Sequence, residues 1–462
     1  VSSAVVTYRS TRGRAPEIGF ADTLLGGLAP DGGLYLPDAW PSLDGLPEGD
    51  YSAVAAAVMA PFVAGSIDQD SFVEMVAEAY TTFRHAEVCP LVELEDGHYL
   101  LELFHGPTLA FKDVALQLVG RLFDHELRRR NERITIVGAT SGDTGSAAMD
   151  SVRGSELIDM VILFPQGRTS EVQRRQMTTL DAPNVHAVAI DGTFDDCQDL
   201  VKAMFADEPF RDRVRLSAVN SINWARVMAQ LVYYVWAVQQ LDRGQQPTTF
   251  CVPTGNFGNV FAGHGARRMG LPVDRLIVAS NTNDILTRLL VSGEMRAEQV
   301  VPTLSPSMDI QISSNLERLL FELLGEDGAA TEALLRTFRQ TGVAALTSDQ
   351  HQQLVAEFVG GRCSDDETLS IIADVQLRHG MLVDPHTAVG IGTARAQRRA
   401  DETVVTLATA HPAKFPDAVE QATGIRPALP EHLADLFERD EQVSRLPNDL
   451  TMVEDFVESV RR

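Results

Sequence analysis

The chain has 462 residues, 44% of them hydrophobic, and a formal charge of −25 from 39 basic and 64 acidic side chains. That length accommodates two or three domains, or one large α/β body with appended parts, around a core of ordinary apolar content. The charge opposes nonspecific binding to nucleic acid or to an anionic membrane, and no uninterrupted apolar stretch approaches the roughly twenty residues of a spanning helix.

Residues 1–95 read as an N-terminal unit. The start, Val1 to Ser10, lacks the apolar run of a signal peptide. Gly26 to Pro37 is rich in turn-forming glycine and proline, and helical patterns follow near 51–64 and 69–82. A body spanning 96–426 comes next, opening with a hairpin signal: Asp96-Gly97 between two apolar runs. Apolar runs beginning at Ile134, Met160, Val185, Phe250, Leu276 and Thr403 then alternate with helical stretches, which predicts βαβ construction and a parallel sheet. Within this body a smaller lobe is expected over roughly 126–230, and a mainly helical insertion over roughly 285–380. Residues 427–462 read as an acidic, amphipathic helical tail. Ligands of such folds bind outside the carboxyl ends of the strands, so chemistry is expected in the loops leaving these runs.

Lysine is rare here: Lys112, Lys202 and Lys414 stand against thirty-six arginines. Arginine stays protonated and forms no imine, whereas a buried lysine amine can lose its proton and attack a carbonyl carbon. Codon bias explains the shortage but not the positions of the three survivors. Lys112 lies in His105-Gly-Pro-Thr-Leu-Ala-Phe-Lys-Asp113, a turn entering a helix. Thr108 is the expected N-cap, and the helix's positive end should lower the proton affinity of Lys112. The bland alternative is a lysine whose stem packs while its head reaches water. The cysteines, Cys89, Cys197, Cys251 and Cys363, have no CxxC spacing, which predicts a reduced, cytoplasmic protein without a zinc cluster or other metal.

Two glycine-bearing turns follow strand candidates. Pro253 to Asn259, with Gly255 and Gly258, can converge peptide N–H groups at a helix N-terminus and hold an anion without a cationic side chain. It is neither a Walker loop nor a dinucleotide fingerprint. Gly138 to Ala148 offers the hydroxyls of Thr140, Ser141 and Thr144 to a second, smaller anion; an ionised Asp143 cannot assist and is read as structural. Two anion loops suit a phosphate-bearing cofactor and an amino-acid carboxylate better than a dinucleotide. In Asn220 to Arg226, Asn223 and Arg226 are placed to grip a phosphate; equally, Asn220 or Ser221 caps a helix and Arg226 lies on its solvent face. Thr409, ending the last strand, sets a neutral hydroxyl at the crevice. His386 sits in a pattern already explained by Asp384 as N-cap and Pro385 at the first helical position.

Together these motifs resemble the threonine synthase family, pyridoxal-phosphate enzymes similar to tryptophan synthase β. The likeness includes Tyr8 to Gly13, Leu25 to Pro37, His105 to Asp113, Gly138 to Ala148, Asn220 to Arg226, Pro253 to Asn259, Ser305 to Ile310, Asp384 to Ala388 and Thr409 to Phe415. It runs from about residue 8 to 416 and is nearest the longer microbial and fungal branch. The resemblance implies fold type II, two α/β domains around a central crevice, with pyridoxal 5′-phosphate as cofactor. It makes Lys112 the covalent anchor and base, gives the cofactor phosphate to Gly255, Asn256, Phe257, Gly258 and Asn259, and sets Thr409 against the pyridine nitrogen. Thr140, Ser141 and Thr144 would meet the substrate carboxylate, with Asn223, Arg226 and Lys414 at the substrate phosphate. The implied reaction turns O-phospho-L-homoserine and water into L-threonine and phosphate, in a monomer or homodimer. Three other readings compete. A phospholyase releasing 2-oxobutyrate shares the first elimination. A serine or threonine dehydratase or cysteine synthase would favour a Ser-x-Lys turn. A noncatalytic sensor is opposed by the intact lysine and both anion loops.

Overall fold

The computed structural model of the protein describes residues 5–140, 142–167, 169–241 and 246–462. Two sheets organise it. The larger has six strands in the order Phe358–Arg362, Val273–Ser280, Thr248–Pro253, Val404–Ala408, His98–Glu102, Leu91–Glu95. All neighbours are parallel except the last pair, the expected hairpin around Asp96-Gly97, in register Leu91 with Leu101 and Val92 with Leu100. The smaller is wholly parallel, in the order Val443–Pro447, Val185–Asp191, Ile158–Pro165, Ile134–Ala139, Leu216–Ser217. Strands such as Ile158–Pro165, buried at every position, are apolar apart from Asp159 because helices cover both faces.

The Trp224–Gln240 helix is buried at every residue from Trp224 to Val238. Its sequence is apolar on most sides, with Arg226 and Gln230 the polar exceptions inside the buried span, as suits a core helix. Against it pack the Tyr51–Val63 helix and the Lys112–Arg130 helix. The N-terminal helices start where Asp50 and Asp68 accept from the backbone three residues on. Tyr8–Ser10 pairs with Tyr35–Pro37, and Arg12 and Thr11 bind Glu317, fastening the N-terminal segment to the Leu316–Leu323 helix.

The stretch read as a helical insertion also supplies the edge strand Phe358–Arg362 of the large sheet and the antiparallel pair Glu294–Arg296 with Val343–Ala345. These strands are three to five residues long, too short for a period-2 signal. The tail likewise contributes more than a helix, since Val443–Pro447 extends the small sheet before Leu450–Val460 packs beneath it. Among the described residues, no helix is long and apolar enough to cross a membrane.

Candidate active site

The loop leaving His98–Glu102 delivers Lys112 as the first residue of the Lys112–Arg130 helix. Thr108 is not its cap, contrary to expectation. The helix starts four positions later, and Thr108 instead donates to Asp113 through its amide at 2.8 Å and its hydroxyl at 2.6 Å. Asp113 therefore folds back to brace the turn. Gly106 permits this, because a Cβ there would stand 2.6 Å from Asp113 Oδ2. Burial, opposed by the Thr108 hydroxyl, pushes the Asp113 carboxyl up to about 7.

Lys112 points inward, its side chain only 10% exposed, and its Nζ lies 3.1 Å from Asp143 Oδ2. Burial drives its proton affinity down, and Asp143 offsets only part of that effect. Asp143 Oδ1 is 3.0 Å from Lys414 Nζ and accepts from Gln173 Nε2 at 2.9 Å. Burial works against the Asp143 charge, but Lys112 and Lys414 together hold the carboxyl well below the usual range. Gly142 makes this contact possible: its φ is +150°, and a Cβ would come within 2.6 Å of the Gln173 amide nitrogen. Asp143 is thus the hub of the site, a role hidden in sequence because it depends on side chains 31 and about 270 positions away. Gln173, Ser307 and His386 join it. Ser307 Oγ lies 3.4 Å from Asp143 Oδ2, and the Ser307 amide donates to His386 Nε2, whose Nδ1 bonds Asp384 at 2.7 Å.

The second turn follows Thr248–Pro253 and ends at the Gly258–Arg268 helix, with Phe257 left-handed at φ +61°. Among the described residues, none of the five amides from 255 to 259 donates to a protein acceptor. The loop is fastened through its carbonyls instead: Ser313 donates to Gly255 O at 2.7 Å, and Asn315 donates to Asn256 O from its amide at 3.0 Å and from Nδ2 at 3.1 Å. Asn259 Oδ1 accepts from Tyr233 and Tyr234, and its buried Nδ2 has no partner among the described residues. Ser307 connects this turn to the lysine, because its carbonyl lies 3.1 Å from where Gly255 would bear a Cβ.

Arg226 is buried on the Trp224–Gln240 helix, and its Nε and Nη1 have no partner among the described residues. Burial pushes the guanidinium down to about 10. The solvent-face alternative therefore fails, since the helix has no solvent face at that position. Two residues expected at the substrate phosphate have partners within the protein. Asn223, not Asn220 or Ser221, is the N-cap: its Oδ1 accepts from the Ala225 amide at 3.0 Å, and its Nδ2 donates to Leu24 O at 2.8 Å. Lys414 is fully buried, donating to Thr108 O at 2.6 Å and Gln176 Oε1 at 2.8 Å besides facing Asp143. Two of the ammonium's three N–H donors are thereby taken, and Nζ also lies 3.0 Å from Asp143 Oδ1 in an ion pair. Thr140 Oγ1 accepts from the Gly142 and Gly145 amides, both at 2.9 Å, and shapes its own turn; Thr144 is the second residue of the Asp143–Ser151 helix; Ser141 lies outside the described residues. Thr409 is tied in through its carbonyl, which accepts from the Phe111 amide at 2.9 Å beside the lysine.

Three family models divide the chain: "Threonine synthase N terminus" over residues 7–80, "Pyridoxal-phosphate dependent enzyme" over 86–345 and "Threonine synthase, C-terminal" over 387–457. A threonine synthase of Pseudomonas aeruginosa is 52% identical over 460 residues, covering 97% of each chain. The chain belongs to the threonine synthase family. Among solved structures, the pyridoxal-phosphate-bound threonine synthase of Brucella melitensis matches with a TM-score of 0.97 at 52% identity, covering 99% of this chain and 100% of that one. Yeast threonine synthase matches at 0.94 and 38% identity, covering 99% of each. The fold is fold type II of the pyridoxal-phosphate enzymes, and the cofactor of this threonine synthase family member is pyridoxal 5′-phosphate. Its residues fit that group. Uncommitted amides at 255–259 suit a phosphate, and a buried amine at 112 suits an aldehyde.

Proposed function

We propose that this enzyme converts O-phospho-L-homoserine and water to L-threonine and phosphate. The observation that carries the reading is the contact chain from Gly255 through Ser307 and Asp143 to Lys112, which links a turn with uncommitted amides to a buried amine.

Lys112 would anchor the cofactor covalently, the amides of Gly255, Asn256, Phe257, Gly258 and Asn259 would hold its phosphate, and Thr409 would meet its ring nitrogen. When bound, pyridoxal phosphate supplies an electron sink for negative charge developing on an attached amino acid. Thr409 presents a neutral hydroxyl, so the protein adds no counter-charge that would favour a protonated ring nitrogen. Burial favours the neutral form of the Lys112 amine, which suits Nζ to remove protons from the substrate's α and β carbons. The Thr144 and Asp143 amides, at the start of the Asp143–Ser151 helix, and the hydroxyls of Thr140, Ser141 and Thr144 would orient the substrate carboxylate. Arg226, with two buried N–H groups uncommitted, would hold the phosphate that leaves. Water must reach the β carbon only after that departure, which the enclosed position of Lys112 supports.

Four buried free cysteines support a cytoplasmic setting, and a monomer or homodimer is the expected assembly. Incubation with O-phospho-L-homoserine and identification of the organic product tests the function. Threonine with equimolar phosphate is expected; 2-oxobutyrate as the main product would make the protein a phospholyase.

A further inference from the structure

Lys414 has no place in the chemistry above, yet it is more deeply buried than Lys112. Of the three lysines, Lys202 is on the surface, paired with Asp199, and the other two face a single carboxylate. The partners of Lys414 come from three elements: Thr108 in the lysine turn, Gln176 in the Glu171–Thr178 helix and Asp143 at the start of the Asp143–Ser151 helix. The Lys414 carbonyl is fixed as well, accepting from Ser170 Oγ at 3.2 Å. This lysine cannot swing.

Two ammonium groups around one carboxylate leave a buried excess of positive charge, which a low-dielectric interior resists. Releasing one proton relieves it. Loss from Lys414 would forfeit an ion pair of 3.0 Å from which this side chain, held by Thr108 O and Gln176 Oε1, cannot withdraw. Loss from Lys112 costs one contact of 3.1 Å to an acid that keeps Lys414, Gln173 and Ser307. The geometry therefore selects which lysine becomes the free amine.

We propose that Lys414 is a positioning residue: its fixed ammonium keeps the Asp143 carboxylate ionised and shared, so that the proton leaves Lys112. The inference rests on Lys112 being the cofactor lysine. The charged groups facing Lys112 are Asp143, Lys414 and Arg226, from three separate elements, and His386 faces Asp143 from the Pro385–Gln397 helix. Burial, Lys414 and Arg226 all favour the neutral amine at 112, and Asp143 opposes them.

The test is the pH dependence of cofactor capture. Full-length protein freed of cofactor is mixed with pyridoxal phosphate, and the rate at which the visible band appears is followed across pH. That rate needs a neutral amine, so its midpoint reports the proton affinity of Lys112. Lys414→Met leaves Asp143 to Lys112 alone and should raise the midpoint by about one pH unit, roughly a tenfold slower capture at a fixed lower pH. Lys414→Arg keeps the charge and should leave the midpoint in place. Asp143→Asn should move it downward, and decides the matter if Lys414→Met does not fold. A midpoint unmoved in Lys414→Met, or moved upward in Asp143→Asn, overturns the proposal. Capture persisting in Lys112→Ala would instead sink the assignment of Lys112.

Discussion

Asn315 donates twice to the carbonyl of Asn256, once from its backbone and once from its side chain, at 3.0 and 3.1 Å. The same side chain accepts from Arg318, a fully buried guanidinium that also donates to Tyr35 O and Ile222 O. The cofactor-phosphate turn is thus bolted to the N-terminal unit through residues that need never touch a ligand. Asn315→Ala should remove the side-chain half of this bolt, keep the backbone half, and leave Arg318 with an unpaired donor. The expected result is a stability loss of about 1–3 kcal/mol in chemical denaturation and a weaker pyridoxal-phosphate affinity by absorbance titration.

Lys112→Ala should fold, because the Asp143 carboxylate keeps Lys414, Gln173 and Ser307 as partners when the amine is removed. Borohydride reduction in the presence of cofactor should label the unmodified protein and leave this variant unlabelled, by mass spectrometry of the 112-containing peptide. Label retained elsewhere in the variant would remove Lys112 from its assigned role.

Arg226→Gln keeps hydrogen-bonding capacity but removes the charge. Arg226 Nε and Nη1 have no partner among the described residues, which points to a ligand. O-phospho-L-homoserine should bind about tenfold to a hundredfold more weakly, the range for a lost charge-assisted bond, with little change for a phosphate-free amino acid. Equal weakening of both would move Arg226 away from the substrate phosphate. The variant should also be no less stable than wild type, since an uncompensated buried charge is removed.

His264, on the helix that carries the phosphate turn, bonds Glu322 at 2.6 Å and Glu357 at 2.7 Å. Burial opposes its charge, but these two bonds outweigh it and raise the imidazole from 6.5 to about 9. Its folded-state value lies above its unfolded one, so the stabilisation is complete below pH ~6.5 and disappears as pH rises through about 9. The amount at stake is on the order of 3 kcal/mol. Urea midpoints should fall between these pH values in the wild type and show a flatter profile in His264→Gln.

Periodicity and turn chemistry made much of the chain legible: the hairpin at Asp96-Gly97, the six apolar runs that became strands, the glycine turns after Ala139 and Pro253, and the lysine turn at Lys112. These are local properties, written within a few residues by side-chain alternation and by glycine. Short elements escaped. Phe358–Arg362 contains two glycines, and Val443–Pro447 follows an irregular stretch, so each became a strand only because an open sheet edge was waiting.

The sequence by itself determined which residues were chemically able to act: few lysines, two amide-rich turns and an arginine suited either to a phosphate or to a helix's solvent face. Only the tertiary structure decided how they are shared out. It gave Asn223 to a helix end, left the Arg226 guanidinium uncommitted, and set Lys112 and Lys414 on opposite oxygens of Asp143. A charge's effect depends on what stands within a few ångströms of it in a dry interior, and those neighbours arrive from turns hundreds of residues apart.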